Sequence, residues 1–212
     1  MIQLDNAFSN VEKRIKHSGW AIPKVALMSL CVMKPPPCKI LEFGGGYSSI
    51  FFREIGYDVT TIEHVPSWSK KLESCGHTDV LLFKLKQFNS IEWKRLFSCD
   101  KSREFYYSSG KTLPPECNNK TRIKNTFYDI KDFTKIPDKP DIIILDGPNG
   151  NGRSLAWPLL KGHMKFPCYI LIDDYTHYPF VEDFLLIFEG NQVESFQISN
   201  HFTTILVCRG EK

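Results

Sequence analysis

Three consecutive glycines follow a short apolar segment, and they form the first group of residues that could do chemistry. The run reads Glu42-Phe43-Gly44-Gly45-Gly46, with Ser48 just beyond it. Glycines have no side chains, so a ligand can approach the main chain closely. Glu63 ends the next apolar segment, where a carboxylate can accept hydrogen bonds from both ribose hydroxyls of an adenosine. These features predict a nucleoside-binding site.

Carboxylates at the ends of two later apolar runs form a second group. Asp146 ends the run that begins at Asp141, and Asp173-Asp174 ends the run that begins at Cys168. In adjacent parallel strands these side chains converge, and like charges that close repel one another unless a proton or a cation intervenes. A hard divalent ion with oxygen ligands resolves the conflict, and Mg²⁺ is the natural choice.

Two further residues beside these carboxylates could take part in chemistry. The segment from Asp146 to Ser154 is rich in glycine and opens a helix, and its Arg153 could hold an anionic group such as a carboxylate. His177 is a titratable group near the proposed ion and could act as a general base. The alternative is that His177 is an ordinary surface histidine.

The elements that must position these residues alternate along the chain. Strands are expected at 39–43, 58–63, 80–85, 141–146, 168–173, 193–198 and 203–208, and helices at 23–33, 48–55, 67–74 and 180–188. Alternating strands and helices imply a parallel sheet with right-handed crossovers, whereas the last two strands are too close together to be parallel. The predicted fold class is therefore α/β: a Rossmann-like, doubly wound, mostly parallel seven-stranded sheet with an antiparallel edge strand and helices on both faces.

The chain length is typical of one domain, because a second full domain would leave two small cores in 212 residues. We expect a single domain over 1–212, with an N-terminal helical segment at 1–36. Between 86 and 124 the pattern fails, and the composition is rich in Lys, Ser, Asn and Pro. This segment is longer than a normal loop and is predicted to be an insertion or lid.

The motif Glu42-Phe43-Gly44-Gly45-Gly46-Tyr47-Ser48-Ser49 resembles the first motif of class I S-adenosylmethionine (SAM) dependent methyltransferases, and Glu63 falls where their ribose-binding acid lies. The resemblance covers the chain from about Trp20 to Arg209. It implies a methyltransferase whose cofactor contacts Glu42, the three glycines, Ser48, Glu63 and Asp146. It also places Asp129 at the acid near the adenine.

Asp146 and the motif Asp173-Asp174-Tyr175 are similar to the metal site of catechol O-methyltransferases and, more closely, of macrocin- and novobiocin-type sugar O-methyltransferases. That resemblance implies that Asp146, Asp173 and Asp174 bind Mg²⁺ or another divalent cation, which binds and activates a substrate hydroxyl. The segment from Asp146 to Arg153 also resembles the glucuronoxylan methyltransferase family. The implied activity is O-methylation of a sugar or a small metabolite.

Other interpretations of the same residues stay open. Asp146 is also the ordinary acid of metal-free methyltransferases, and Asp173-Asp174 could cap the next helix. A glycine-rich turn also suits NAD enzymes, although three consecutive glycines depart from the G-x-G-x-x-G spacing. The lysines of the insertion could serve an RNA or protein methyltransferase. A non-catalytic SAM-fold subunit is a third class, against which the intact set of Glu42, Glu63 and Asp146 argues.

Composition and charge narrow the choice of partners. A formal charge of +3 is too small to indicate a nucleic-acid partner, and no apolar run is long enough to cross a bilayer. The seven cysteines contain no Cys-x-x-Cys pair, which favours reduced thiols. We therefore expect a soluble, cytoplasmic protein acting on a small-molecule or saccharide substrate.

Overall fold

The computed structural model describes residues 2–97, 125–176, 178, 180–198 and 202–211. The helices of this part of the chain are α1 (Ile2–Glu12), α2 (Lys24–Met33), α3 (Tyr47–Glu54), α4 (Pro66–Ser74), α5 (Ser90–Phe97), α6 (Ala156–Leu160) and α7 (Phe180–Ile187). The strands are β1 (Lys39–Phe43), β2 (Asp58–Glu63), β3 (Val80–Leu82), β4 (Leu85–Gln87), β5 (Thr126–Tyr128), β6 (Ile142–Leu145), β7 (Cys168–Ile172), β8 (Asn191–Gln197) and β9 (Thr204–Glu211). Short 3₁₀ turns span Phe133–Lys135 and Asn151–Leu155.

Seven of the strands form one sheet in the order β3-β2-β1-β6-β7-β9-β8. Neighbours from β3 to β7 are parallel, whereas β9 runs antiparallel to both β7 and β8. The predicted fold class is confirmed, and the reversed strand lies one place in from the edge. The chain winds outward from β1 to β3 and then returns to β6 on the other side of β1, so strand order reverses between β1 and β6.

Alternating side chains of the central strands divide the core into two layers, as the pleat of a strand requires. Leu41 and Phe43 of β1 face a layer that contains α5, α6 and α7, while Ile40 faces the layer of α1, α2, α3 and α4. Burial on both faces explains why these strands are continuously apolar. The five described cysteines are free thiols and are buried; they are Cys31, Cys38, Cys75, Cys168 and Cys208.

The sequence prediction is wrong at the end of the third strand. The expected strand 80–85 divides into β3, which pairs with β2, and β4, which pairs antiparallel with β5 in a separate two-stranded sheet. The amide of Phe83 makes the last bond of the main sheet, to the Glu63 carbonyl at 2.9 Å. Apolar residues continue across this junction, so hydropathy alone does not show where the chain leaves the sheet.

The first part of the expected irregular segment 86–124 is regular structure, since it contains the end of β4 and all of α5. Asn89 caps α5: its side-chain oxygen accepts the amides of Ile91 and Glu92 at 3.0 Å, and Glu92 accepts the amide of Asn89 at 2.9 Å. This reciprocal capping box was present in the sequence as Asn89-Ser90-Ile91-Glu92. The rest of the segment, 98–124, lies outside the described residues.

Among the described residues, no helix combines the length and the apolar character that crossing a bilayer requires.

Candidate active site

A cleft lies at the carboxyl ends of β1 and β6, where strand order reverses and ligands of open α/β sheets bind. Its floor depends on contact between two glycines. A Cβ atom added to Gly44 would lie 2.7 Å from the amide nitrogen of Gly147, and one added to Gly147 would lie 2.9 Å from the Gly44 Cα. Gly44 also has a φ of +84°, which favours glycine. Any side chain at either position would push the two loops apart.

The glycine turn is held by hydrogen bonds from within the protein. The amide of Gly44 donates to the Ile62 carbonyl at 2.9 Å, that of Gly45 to Glu63 Oε2 at 3.3 Å, and that of Gly46 to Ser49 Oγ at 2.9 Å. The indole N–H of Trp68 donates to the Gly45 carbonyl. All three glycine amides are therefore satisfied, and the turn is not a cradle of free N–H groups of the kind that binds phosphate.

Glu42 lies beneath the turn, fully buried. Its carboxylate accepts hydrogen bonds from Ser48 Oγ at 2.5 Å, from Thr61 Oγ1 at 2.9 Å, and from Ser49 Oγ. Burial raises the pKa of Glu42 to about 7, although these hydroxyls oppose the shift. Ser49 also accepts the Gly46 amide, so Glu42 and the predicted Ser48 brace the turn from below and do not form the cleft wall.

Glu63 is the acid at the end of β2, and it lies directly beside the glycine turn. In addition to the Gly45 amide, its carboxylate accepts the amide of His64 at 2.6 Å and that of Val65 at 2.8 Å. Burial alone would raise the pKa of Glu63, but hydrogen bonds from the His64 side chain and from these amides together lower it. Glu63 is therefore an ionised acceptor fixed within contact of the turn.

The carboxyl ends of β6 and β7 carry a second acidic group, Asp146, Asp173 and Asp174. Burial raises the pKa of Asp146 well above its usual range, and the negative charge of Asp173 adds to the rise. The pKa of Asp173 is also raised, by burial first and by Asp174 second, while a hydrogen bond from Thr203 Oγ1 at 2.5 Å opposes the rise. The structure thus brings together the carboxyls that the sequence placed in one volume, and their pKa shifts favour the protonated forms.

Arg153 supplies the cation that lies among these acids. Its guanidinium is buried and donates to the Pro148 carbonyl at 2.8 Å and to the Asp173 carbonyl at 3.1 Å, and it pairs with Asp174 Oδ2 at 3.4 Å. The positive charge opposes the rise in the pKa of Asp146. Sequence reasoning gave Arg153 the role of holding an anionic substrate group; here three of its five N–H donors bond to oxygen atoms of the protein.

The described residues do not fit a divalent metal ion. No group of three or more His, Cys, Asp or Glu side chains in the described part of the chain is placed to hold one. Asp173 is engaged by Thr203 and Asp174 by Arg153, so two of the three expected ligands already have protein partners. His177, the predicted base, lies outside the described residues.

The cleft has a volume of about 270 Å³. Five of the predicted site residues line it: Gly44, Gly45, Asp146, Arg153 and Asp174. Gly147, Pro148 and Asn149 of the predicted glycine-rich loop line it too, whereas Gly46, Glu63 and Asp173 are not part of the lining. Asp129 does not line it either. Its amide donates to the Lys84 carbonyl at 2.9 Å, and its carboxylate pairs with Lys131 at 3.3 Å.

Three aromatic residues of the cleft wall were missed by sequence reasoning: Trp20, His64 and Tyr128. Trp20 comes from the segment between α1 and α2, and its side chain is 76% exposed. His64 follows the predicted acid Glu63 directly and could have been found from that position. Tyr128 is the last residue of the three-residue strand Thr126–Tyr128, which the pattern of apolar residues did not predict. Asp129 follows it directly.

The chain is similar in fold to several solved structures. A methyltransferase-like protein from Silicibacter pomeroyi is 14% identical with a TM-score of 0.50, over 91% of this chain and 88% of that one. The 16S rRNA N2 G1207 methyltransferase of T. thermophilus, in complex with AdoMet and guanosine, is 12% identical with a TM-score of 0.52, over 92% of this chain and 44% of that one. TehB from Haemophilus influenzae is 13% identical with a TM-score of 0.50, over 97% of this chain and 67% of that one.

No protein-family model matches the chain, and no curated protein matches it. At identities this low, the structural likeness shows the fold alone. The chain has a methyltransferase-like, Rossmann-type fold.

Proposed function

We propose that this protein is a SAM-dependent methyltransferase that methylates a hydroxyl of a sugar or another small metabolite. The observation that carries the proposal is the hydrogen bond from the Gly45 amide to Glu63 at the switch point of the sheet. It joins a ribose-type acid to a glycine turn at the place where α/β folds bind ligands. Asp146, at the end of β6, lines the same cleft as Gly45.

The state of the glycine amides favours SAM over a dinucleotide. A pyrophosphate needs main-chain N–H groups directed at it, as in the G-x-G-x-x-G turn. Here the amides of Gly44, Gly45 and Gly46 donate to protein acceptors. A nucleoside that carries a sulfonium and no phosphate makes no such demand on the turn.

SAM would supply an electrophilic methyl group, which passes to the acceptor oxygen as its bond to sulfur breaks and a thioether is left. The protein's contribution begins with placement, since most of such catalysis comes from proximity and in-line orientation. Gly44 and Gly147 let the two loops meet closely, and this contact forms the floor on which a ligand would lie. Asp146 in its ionised form would then accept the proton that the hydroxyl loses, because a raised pKa makes the carboxylate a stronger base.

The magnesium requirement expected from the sequence remains a prediction, and no step above depends on it. Methylation assayed with added Mg²⁺ and with a chelator decides the matter. A methylation rate that the chelator leaves unchanged would show that Arg153, and not a metal ion, balances the negative charge of Asp146, Asp173 and Asp174.

Isothermal titration with SAM and with its product S-adenosylhomocysteine tests the proposed cofactor. We expect binding of both, followed by transfer of labelled methyl to one member of a panel of sugars, catechols and small alcohols. Absence of binding by the full chain would overturn the proposal. Binding with transfer to nitrogen acceptors alone would retain the cofactor and reject the hydroxyl acceptor.

A further inference from the structure

A chain of buried polar side chains runs beneath the glycine turn and ends at His77, a residue that no step above uses. Nε2 of His77 lies 2.7 Å from Thr61 Oγ1, which lies 2.9 Å from Glu42 Oε2. Glu42 also accepts Ser49 Oγ, and Ser49 accepts the Gly46 amide at 2.9 Å. All four side chains are fully buried. Direct contacts therefore connect His77 with the turn.

A histidine in this position has a cost that an apolar side chain would avoid. Burial lowers the pKa of His77 to about 4, and the positive charge of Arg53 adds to the fall while Asp79 opposes it. His77 is therefore neutral at physiological pH, with one donor and one acceptor nitrogen. Its Nδ1 atom has no hydrogen-bond partner among the described residues. The bond to Thr61 is thus what distinguishes His77 from an apolar residue here.

Counting protons gives the direction of each bond in the chain. An ionised Glu42 has no proton to give, so Thr61 donates its single hydroxyl proton to the carboxylate. The Thr61 oxygen then accepts from His77, whose Nε2 carries the hydrogen. Ser49 likewise donates to Glu42 and accepts the Gly46 amide. Each hydroxyl gives one bond and accepts one, and the chain is complete when Glu42 is ionised.

Thr61 also touches the glycine turn directly. A Cβ atom added to Gly45 would lie 2.6 Å from Thr61 Cγ2, so the methyl group lies against Gly45. The hydroxyl and the methyl group of a threonine turn together, because both are bonded to Cβ. His77 therefore holds the methyl group in place when it bonds the hydroxyl. The Gly45 amide above it is the one that donates to Glu63.

We propose that His77 is a positioning residue for the cofactor, and that through the Thr61 hydroxyl it holds Glu42 and the glycine turn in the arrangement that binds the nucleoside. The proposal rests on the proposed function. It extends the site to a residue outside the cleft lining, which acts through other side chains and does not contact the ligand.

His77→Leu removes the donor and keeps the space filled. We expect the variant to bind S-adenosylhomocysteine roughly threefold to tenfold more weakly than the unaltered protein, as loss of one neutral hydrogen bond predicts. His77→Gln is the rescue variant, because its amide nitrogen can donate from near the position of Nε2. It should restore the affinity to within about twofold of the unaltered protein. Titration calorimetry measures both.

Thr61→Val breaks the chain one step closer to the turn and keeps the shape of the side chain. It should weaken binding at least as much as His77→Leu does, because both bonds of the hydroxyl are lost. The double variant should bind no more weakly than Thr61→Val alone, since the bond from His77 is already absent. Losses that simply add would show that the two residues act independently and would overturn the proposal.

The dependence of binding on pH separates positioning from packing. Burial raises the pKa of Glu42 to about 7, and the hydroxyl of Thr61 is one of the groups that oppose the rise. A protonated Glu42 has to place its proton on a hydroxyl that otherwise donates to it, which breaks the chain. Affinity for S-adenosylhomocysteine should therefore fall as the pH falls through about 7. The other titratable groups around the chain are Glu63, Asp146 and Tyr128 near Glu42, and Arg53 and Asp79 near His77.

The variants should move this midpoint differently. Thr61→Val removes a hydrogen bond that favours the ionised form of Glu42, so the midpoint should move to higher pH. His77→Gln should leave the midpoint in place. Glu42→Gln should abolish the part of the pH dependence that belongs to Glu42, and what remains comes from the other groups.

Tyr57→Phe is the matched control, because the Tyr57 hydroxyl is also buried but donates to the Lys34 carbonyl at 2.7 Å, before the start of β2 and away from the cleft. This variant should lose thermal stability and keep its affinity for S-adenosylhomocysteine. A loss of affinity in His77→Leu that Tyr57→Phe does not share is then not a general effect of a weakened fold.

Three results separate the claims. If the unaltered protein does not bind S-adenosylhomocysteine, the proposed function fails. If it binds and His77→Leu binds equally well, the role of His77 is wrong and the proposed function stands. Equal losses of affinity in His77→Leu and His77→Gln, with a midpoint that Thr61→Val does not move, would assign His77 to packing alone and overturn the proposal.

Discussion

Glu63 and Asp146 both end parallel strands beside the same cleft, yet the protein shifts their pKa values in opposite directions. Glu63 accepts three main-chain amides. Hydrogen bonds from the His64 side chain and from the Val65 and His64 amides lower its pKa in spite of burial. Burial and the charges of Asp173 and Asp174 raise the pKa of Asp146. A carboxylate at the end of a strand is therefore a fixed hydrogen-bond acceptor where amides surround it. Where other acids surround it, the carboxylate is suited to accept a proton.

The difference divides the cleft into two halves. The half at β1 and β2 is built from satisfied hydrogen bonds and is suited to holding a ligand in one place. The half at β6 and β7 crowds like charges around Arg153 and is suited to moving a proton. Substitutions that remove charge and keep shape should affect binding in the first half and turnover in the second.

Asp146→Asn should have the largest effect, since it removes the proposed base. We expect the methylation rate to fall roughly a thousandfold, within the range for loss of a general base, while affinity for S-adenosylhomocysteine changes little. Steady-state rates with the acceptor found in the screen measure this effect. Asp141→Asn is the control, because Asp141 precedes the same strand at its opposite end and should leave the rate unaltered. Equal methylation rates for Asp146→Asn and the unaltered protein would show that the half of the cleft at β6 and β7 does not move the proton.

Glu42→Gln should change the dependence of stability on pH. The pKa of Glu42 is about 7 in the fold against an ordinary 4.5, so the folded state binds its proton more tightly than the unfolded state does. That contribution is complete below pH 4.5 and is lost as the pH rises through about 7. Between pH 5 and pH 8 the unaltered protein should lose about 2–3 kcal/mol of unfolding free energy relative to the variant. Urea denaturation at the two pH values tests this, and parallel behaviour of the two proteins would show that Glu42 does not titrate in this range.

Glu63→Gln should have the smallest effect of the three, on binding. The variant keeps one oxygen acceptor but loses the charge and the second acceptor, so we expect affinity for S-adenosylhomocysteine to fall about tenfold. The methylation rate at saturating cofactor should stay within a few-fold. Glu73→Gln, on the exposed face of α4, provides the control. If the methylation rate fell while the affinity for S-adenosylhomocysteine stayed unchanged, the roles assigned to the two halves of the cleft would be reversed.

The sequence predicted those parts of the molecule that depend on local pattern. Continuous apolar runs at Ile142–Leu145 and Cys168–Ile172 indicated central parallel strands, and the convergence of Asp146 with Asp173 followed from their adjacency. The contact of the glycine turn with Glu63 followed in the same way, because carboxyl ends of neighbouring parallel strands share one edge.

Features that depend on residues distant in the sequence could not be predicted from the sequence. The separation of β4 from the main sheet is decided by its pairing with β5, about forty residues later in the chain. Arg153 donates to the carbonyls of Pro148 and Asp173, which only the folded loops bring together. Tyr128 becomes a residue of the cleft wall through the same distant pairing, whereas the resemblance had pointed to its neighbour Asp129.

A crystal structure of the full chain with S-adenosylhomocysteine tests the central claim most directly. The account predicts density for the nucleoside at the junction of the glycine turn and the β6 loop, with its ribose beside Glu63 and its sulfur facing Asp146. Density for the ligand away from Gly45 and Glu63, in crystals of a protein that binds it in solution, would contradict the account.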